Sequence, residues 1–293
     1  MQVRGKLSGG GAVVALASAA LVLAGGAASA SPASGPAARL GPTVGRMLRA
    51  PGTTERAISG ATQLESFNWS GYAQDDSNGT YKAVQDTWTV PTVTKLAGSQ
   101  YSSDWVGVGG FSDGTLVQAG TEADNIGGTV TYDAWTEILP AAEVVIPGLA
   151  IHPGNKIKTT VKETSAGIWK MTVQDLTTGK SGSRTVHYSS SGASAEAVHE
   201  RPCIADGCAS TSDLARLTKT SKVTFDPGRL STAPAGTPVW HPLLKVVPGA
   251  ALNEIFMINN AGTAVIAAPS APDSDGDGFA VAYGSKSPAP PPS

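Results

Sequence analysis

The chain has 293 residues, 41% of them hydrophobic and 15% charged, with a formal net charge of −2. That length can bury a substantial core, and the near-neutral balance argues against the basic surface of a nucleic-acid binder. The charges are unevenly spread: the first 64 residues hold six of the 21 Lys and Arg but one of the 23 Asp and Glu, which leaves 15 against 22, or about −7, for the rest.

The chain opens on Arg4 and Lys6, followed by an apolar run over 12–24 and then Ala28-Ser29-Ala30. This order predicts a signal peptide over 1–30 and an exported, secreted protein. The run is shorter than the roughly 20 residues of a spanning helix, and no later segment could span, so no membrane association is expected after cleavage. Residues 31–62 are rich in Ala, Pro, Gly, Ser and Thr, carry four Arg and one acid, and lack any helix or strand period. They read as a propeptide or flexible linker.

Residues 63–284 amount to one domain. Strands are predicted over 67–73, 81–90, 103–108, 115–122, 128–139, 156–164, 168–176, 183–189, 194–200, 222–225, 254–259, 263–267 and 279–283. They are short, rich in Val, Thr, Trp and Tyr, and separated by Gly, Pro, Ser and Asp turns. A helical turn is expected only over 211–217, with Ser212 as N-cap. The pattern predicts an all-β sandwich or barrel. Residues 285–293 form a Pro-rich tail expected to be disordered. No feature demands an oligomer, so a monomer is expected.

Cys203 and Cys208 are the only cysteines, and in an exported protein they are expected to close a small disulfide loop just after Glu200. Asn68 and Asn78 fit the N-glycosylation pattern; the first lies inside a predicted strand, and both are discounted. Gly110-Phe111-Ser112-Asp113-Gly114 fits a nucleophile pattern that needs a strand–turn–helix setting, which an all-β region does not offer. Asp273-Ser274-Asp275-Gly276-Asp277-Gly278 resembles the start of a calcium loop. Its twelfth position is Gly284 rather than Glu, so a hairpin turn is the expectation. The four His show no zinc-ligand spacing.

Strand alternation sorts the remaining polar residues by face. Leu116, Gln118 and Gly120 share one face, as do Asp133, Trp135 and Glu137, and as do Glu196, Val198 and Glu200. His199 points away from Glu200, which weakens a His–carboxylate pairing.

Six segments, taken in order, resemble those of the glutamic peptidases, the eqolisins. Asn68 to Gly71 is similar to the family's Asn-Trp-x-Gly segment, Val90-Pro91 to its Val-Pro, and Trp105 to Gly110 to its Trp-Val-Gly-x-x-Gly strand. Val117-Gln118-Ala119-Gly120 resembles the turn of sequence around the family's catalytic Gln. Glu137 follows Tyr132-Asp133-Ala134-Trp135 as a substrate-side Glu does in the family, and Ala195 to Glu200 resembles the Ala-Glu-x-x-x-Glu segment that ends in the catalytic Glu. The resemblance is good over about 66–202 and weak beyond.

It implies two large antiparallel sheets in a concanavalin A-like β-sandwich. It also implies a peptidase acting on protein or peptide substrates, with no metal and no organic cofactor. Glu200 would take a proton from water and return it to the leaving nitrogen, and Gln118 would stabilise the oxyanion. Glu137, Glu122, Trp69, Trp105 and Trp135 would shape the substrate cleft. Ala197, His199 and Glu122 depart from the usual residues of the family, and the chain is less acidic than fungal members. Substrate preference and the depth of the pH optimum are therefore open. Two alternatives stand beside this reading: a glycoside hydrolase using Glu137 and Glu200 as a carboxylate pair, and a non-catalytic secreted binding module.

Overall fold

The computed structural model describes residues 45–51, 56–58, 60–204 and 210–293. The expected signal peptide, most of the 31–62 segment and Cys208 lie outside the described residues, and with Cys208 the expected disulfide. Cys203 is buried and is not a free thiol.

Alternating sequences such as Lys156–Ser165 and Ile168–Asp175 bury every second residue, as strands do when only one face is packed. The segments Ser103–Gly109 and Ser194–Glu200 are buried at every position, so both of their faces are covered. In chain order the strands are β1 (Arg56–Ile58), β2 (Ala61–Ser66), β3 (Trp69–Asp75), β4 (Ala83–Thr89), β5 (Ser103–Gly109), β6 (Leu116–Ile126), β7 (Thr129–Ile138), β8 (Val144–Val145) and β9 (Lys156–Ser165). They continue as β10 (Ile168–Asp175), β11 (Ser181–His187), β12 (Ser194–Glu200), β13 (Val223–Phe225), β14 (Arg229–Ser231), β15 (His241–Pro242), β16 (Ala251–Ile258), β17 (Val265–Pro269) and β18 (Phe279–Tyr283).

One layer runs β8-β7-β6-β5-β12-β3-β16-β2-β1, antiparallel except for the parallel β2–β16 pair. From β16 the hydrogen bonding continues through β17 and β18 to β13, β4, β9, β10 and β11, with β14 beside β4 and β15 beside β14. The two layers face each other across one core. Val106, Val108, Val117, Ala119, Ala195 and Ala197 of the first meet Val84, Trp88, Ile157, Val161, Met171 and Phe225 of the second. This is the antiparallel β-sandwich expected from the sequence. Among the described residues no helix is long and apolar enough to cross a membrane.

Four expectations need correction. Residues 31–62 are not strand-free: β1 and the start of β2 lie there, and residues 46–50 bond to their neighbours through the backbone. Met47 N–H donates to Gly110 O, Phe67 N–H to Leu48 O and Ala50 N–H to Glu65 O. Main-chain bonding of this kind needs no apolar alternation, so the composition hid it. The helical turn is a single 3₁₀ turn, Thr211–Asp213, capped by Ser210 rather than Ser212; the side chains of Ser210 and Asp213 form a reciprocal capping box. The short strands β8, β14 and β15 escape pattern reading because they hold only two or three residues. The tail has no regular secondary structure, yet Pro291 is buried and Ser293 Oγ bonds to Ser274.

Gly120 is packed where no side chain fits. A Cβ there would collide with the Asp104 carbonyl oxygen and lie 2.5 Å from Trp105 Cβ. Gly120→Ala is therefore expected to cost about 1–3 kcal/mol, measured as a lower denaturant midpoint at unchanged m-value. An unchanged midpoint would contradict this packing.

Candidate functional site

Cross-strand register lines up side chains of like parity in rows on one face. One row holds Glu137, Gln118, Gly107 and Glu196. The next holds Trp135, Gly120, Trp105, Val198 and Gly71, and a third Asp133, Glu122, Ser103, Glu200 and Trp69. All the residues assigned to catalysis and substrate from the sequence thus lie on one face of the first layer. His199 lies on the other, with Nδ1 2.7 Å from Asp104 Oδ1, as alternation requires.

The middle row alternates bulk and space. Gly120 and Gly107 leave room for the Trp105 ring, whose Cζ3 would lie 2.8 Å from a Cβ on Gly107. The indole can therefore lean along the sheet and donate from Nε1 to Glu200 Oε2 at 2.8 Å. Trp69 meets Trp105 edge-on at 5.0 Å, a favoured aromatic geometry. Trp135 donates to Ser103 Oγ at 3.0 Å.

Glu200 is fully buried. Besides Trp105, Asn68 Nδ2 and Gly45 N–H donate to its Oε1 at 3.0 and 3.1 Å. Burial holds its carboxyl well above the usual glutamate range, and these donors pull the other way. On the far side of the middle row, Gln118 Nε2 donates to Glu137 Oε2 at 2.7 Å. Burial and the charge of Glu200 raise the Glu137 carboxyl, with Glu122 adding to the effect and Gln118 opposing it. The structure therefore joins Gln118 directly to Glu137 and couples Glu137 electrostatically to Glu200.

Three participants were not assigned from the sequence. Asn68 entered only through its motif and its glycosylation pattern. It is buried, accepts from Leu48 N–H at 2.7 Å, and donates to Arg46 O and Glu200. The segment 45–48 lies over Glu200: Gly45 donates to it, accepts from Trp69 Nε1 at 3.0 Å, and Met47 joins the Trp69–Trp105–Trp135 cluster. No periodic signal could have placed this segment there. Glu143, just before β8, is 1% exposed, and burial raises its carboxyl to about 8, with the charges of Glu137, Asp124 and Asp133 adding to the rise and a hydrogen bond to Glu122 opposing it. Ser112, the serine of the Gly-x-Ser-x-Gly pattern, sits exposed in a bend between two strands, without the setting that pattern needs.

The sequence model of the peptidase A4 family matches residues 67–237, more than half of the chain. The chain is 31% identical over 149 residues to aspergillopepsin-2 of Aspergillus niger, spanning 44% of this chain and 52% of that protein. It therefore covers about half the length of this curated relative. A crystal structure of scytalido-glutamic peptidase with a transition state analog inhibitor matches with a TM-score of 0.58 at 24% identity, over 74% of this chain and 98% of that one. The structure of SCP-B, an eqolisin, in complex with the tripeptide Ala-Ile-His matches with a TM-score of 0.51 at 24% identity, over the same shares of the two chains. The fold is common to all three.

The Glu143 carboxyl has a pH consequence with a definite sign. Its folded value of about 8 lies above the ordinary 4.5. Between those values the folded chain keeps a proton that the unfolded chain loses, so stability falls as pH rises through the window. The contribution is on the order of 1 kcal/mol per pH unit. Urea unfolding from acid to neutral pH should show this loss, and Glu143→Gln should make the slope shallower by about that amount. An equal pH slope in both proteins would remove Glu143 as its source.

Proposed function

The chain belongs to the peptidase A4 family, and we propose that it is a secreted endopeptidase active in acid, with Glu200 as general base and then acid and Gln118 as the oxyanion donor. The observation that carries this reading is the Gln118–Glu137 hydrogen bond of 2.7 Å, on the same sheet face as Glu200. A carboxamide fixed by a buried carboxyl is a donor held in place, as oxyanion stabilisation requires. A carboxylate-pair glycosidase has no need of it.

The chemistry follows from the two groups. Ionised Glu200 takes a proton from water as the oxygen attacks the peptide carbonyl. The carbonyl oxygen becomes an oxyanion and accepts from the Gln118 amide, whose charge does not change in acid. Glu200 then gives the proton to the amide nitrogen, and the C–N bond breaks to leave a carboxyl and an amine. The two side chains supply both functions, so no step calls for a metal or organic cofactor. Glu137, kept neutral by burial and by Glu200, avoids a second anion beside the base. Trp69, Trp105, Trp135 and Glu122 form the wall against which a peptide lies. The tripeptide in the SCP-B complex supports a peptide as the ligand of this face.

The contacts of segment 45–48 support reading it as the inhibitory end of a propeptide. It seals Glu200 from water, and a desolvated glutamic acid keeps its proton and cannot act as a base. Removing the segment would readmit water and lower the carboxyl towards its ordinary value, while Asn68 and Trp105 continue to donate. Export rests on the leader over 1–30.

Two tests follow. Cleavage of an unfolded protein substrate across about pH 2 to pH 8 should show an acid optimum in the processed wild type. Gln118→Ala should lower kcat about 10²–10³-fold, and Glu200→Gln should abolish turnover. Folded, processed Glu200→Gln protein with wild-type activity would sink the assignment. The full-length chain should also be nearly inactive, with activity rising in step with the loss of residues 45–59 in acid. Full activity in uncleaved protein would overturn the role of the segment.

A further inference from the structure

A second acidic centre lies in the opposite layer, around the β17–β18 turn that the sequence marks with Asp273-Ser274-Asp275-Gly276-Asp277-Gly278. The turn is closed by its own bonds. Asp273 Oδ1 accepts from Gly276 and Asp277 N–H at 2.9 and 3.1 Å, and Asp273 N–H donates to Gly278 O at 2.9 Å. These bonds leave the other carboxylate oxygen unexplained. Asp273 Oδ2 is buried with no protein partner, on a side chain that is 9% exposed.

That oxygen points at other acids. Asp226, Asp273 and Asp277 each offer an oxygen within 4.8 Å of the other two. Gly278 lies against them: a Cβ there would collide with Asp273 Oδ2 and come within 3.1 Å of Asp226 Cγ. Asp86 stands beneath, on β4, with the parity of the core residues Val84 and Trp88. It is wholly buried; its Oδ1 accepts from Thr87 N–H at 2.6 Å, and its Oδ2 has no partner. A Cβ on Gly228 would collide with that Oδ2 and lie 3.2 Å from Asp277 O. Two glycines thus keep clear the space into which unpartnered carboxylate oxygens project.

The basic groups nearby do not balance these acids. Arg229 Nη2 is 3.7 Å from Asp277 Oδ2 and half-exposed, Lys156 opposes the rise of Asp226, and the Lys245 stem packs against Gly276 of the turn: three cations against the five acids Asp86, Asp226, Asp273, Asp275 and Asp277. A buried set of hard oxygen donors with surplus negative charge is what Ca²⁺ binds. Oxygens sharing one Ca²⁺ at about 2.3–2.6 Å can stand up to about 5 Å apart.

We propose that Asp226, Asp273 and Asp277, above the buried Asp86, form a structural Ca²⁺ site that ties the β17–β18 turn to the Asp226–Gly228 turn. The ion takes no part in peptide hydrolysis. It neutralises acids that would otherwise repel one another.

The test uses the full chain at pH 7. Calorimetric titration should find one Ca²⁺ per chain, with an affinity in the range of about 10⁻⁴ M or tighter, and Ca²⁺ should raise Tm above its value in chelator. Mg²⁺, which demands a smaller octahedral shell, should bind more weakly. Asp226→Asn and Asp277→Asn should each weaken Ca²⁺ binding at least about tenfold, as loss of a charged ligand does. In chelator, both variants should melt no lower than wild type, because each removes a like charge. A purely structural role for these aspartates predicts a lower Tm with or without the ion. Absence of saturable Ca²⁺ binding by the wild type, or undiminished binding in both variants, would overturn the site.

Discussion

A carboxylate withdrawn from water must be hydrogen-bonded or protonated, and the first layer is arranged around that constraint at Glu200. Its two oxygens take donors from three parts of the chain: Trp105 on β5, Asn68 before β3, and the backbone of Gly45. Each donor is itself held. Asn68 accepts from Leu48 N–H and Ser66 Oγ, and Trp69 Nε1 donates to the Gly45 carbonyl. The glycines that flank Trp105 matter for the same reason. Without space at Gly107 and Gly120, Trp105 could not lie along the sheet, and one donor to Glu200 would be lost.

The opposing row works by the same rule. Glu137 has one strong donor, Gln118, and a second carboxylate in electrostatic reach. Burial and the charge of Glu200 both favour its neutral form. One face therefore carries a buried carboxyl with three donors and a carboxamide bonded to a second buried carboxyl. The aspartates around Gly278 pose the same problem in the other layer, with fewer donors.

Much of this was legible in the sequence. Alternation sorted Gln118, Glu137 and Glu200 by face within their own strands and turned His199 away from Glu200, because strand geometry is local and strict; that the three share one sheet face depends on cross-strand register, which the sequence does not encode. Trp105 was marked by a motif, but its bond to Glu200 depends on how far an indole leans over neighbouring glycines, which spacing does not encode. Asn68 was hidden because an Asn before a strand suits turns and glycosylation patterns as well as a buried hub. Residues 45–50 were hidden because their order comes from main-chain bonds and one buried Met, in a composition that otherwise reads as linker. Glu143 and Asp86 could not be singled out, since burial of an acid follows from what packs over it. Ser210 rather than Ser212 caps the 3₁₀ turn because the reciprocal bond to Asp213 requires a three-residue spacing.

The central claim is that Glu200 is a protonated acid under segment 45–48 and becomes a base when that cover leaves. Carbon-13 NMR titration of the Glu200 carboxyl, assigned by its absence in Glu200→Gln, reads this directly in the full-length and processed chains. The account predicts a midpoint well above the ordinary glutamate value with the segment in place and a clear fall once it is removed. A Glu200 carboxyl that is already ionised in mild acid under the intact segment, or whose midpoint does not move when the segment leaves, would contradict it.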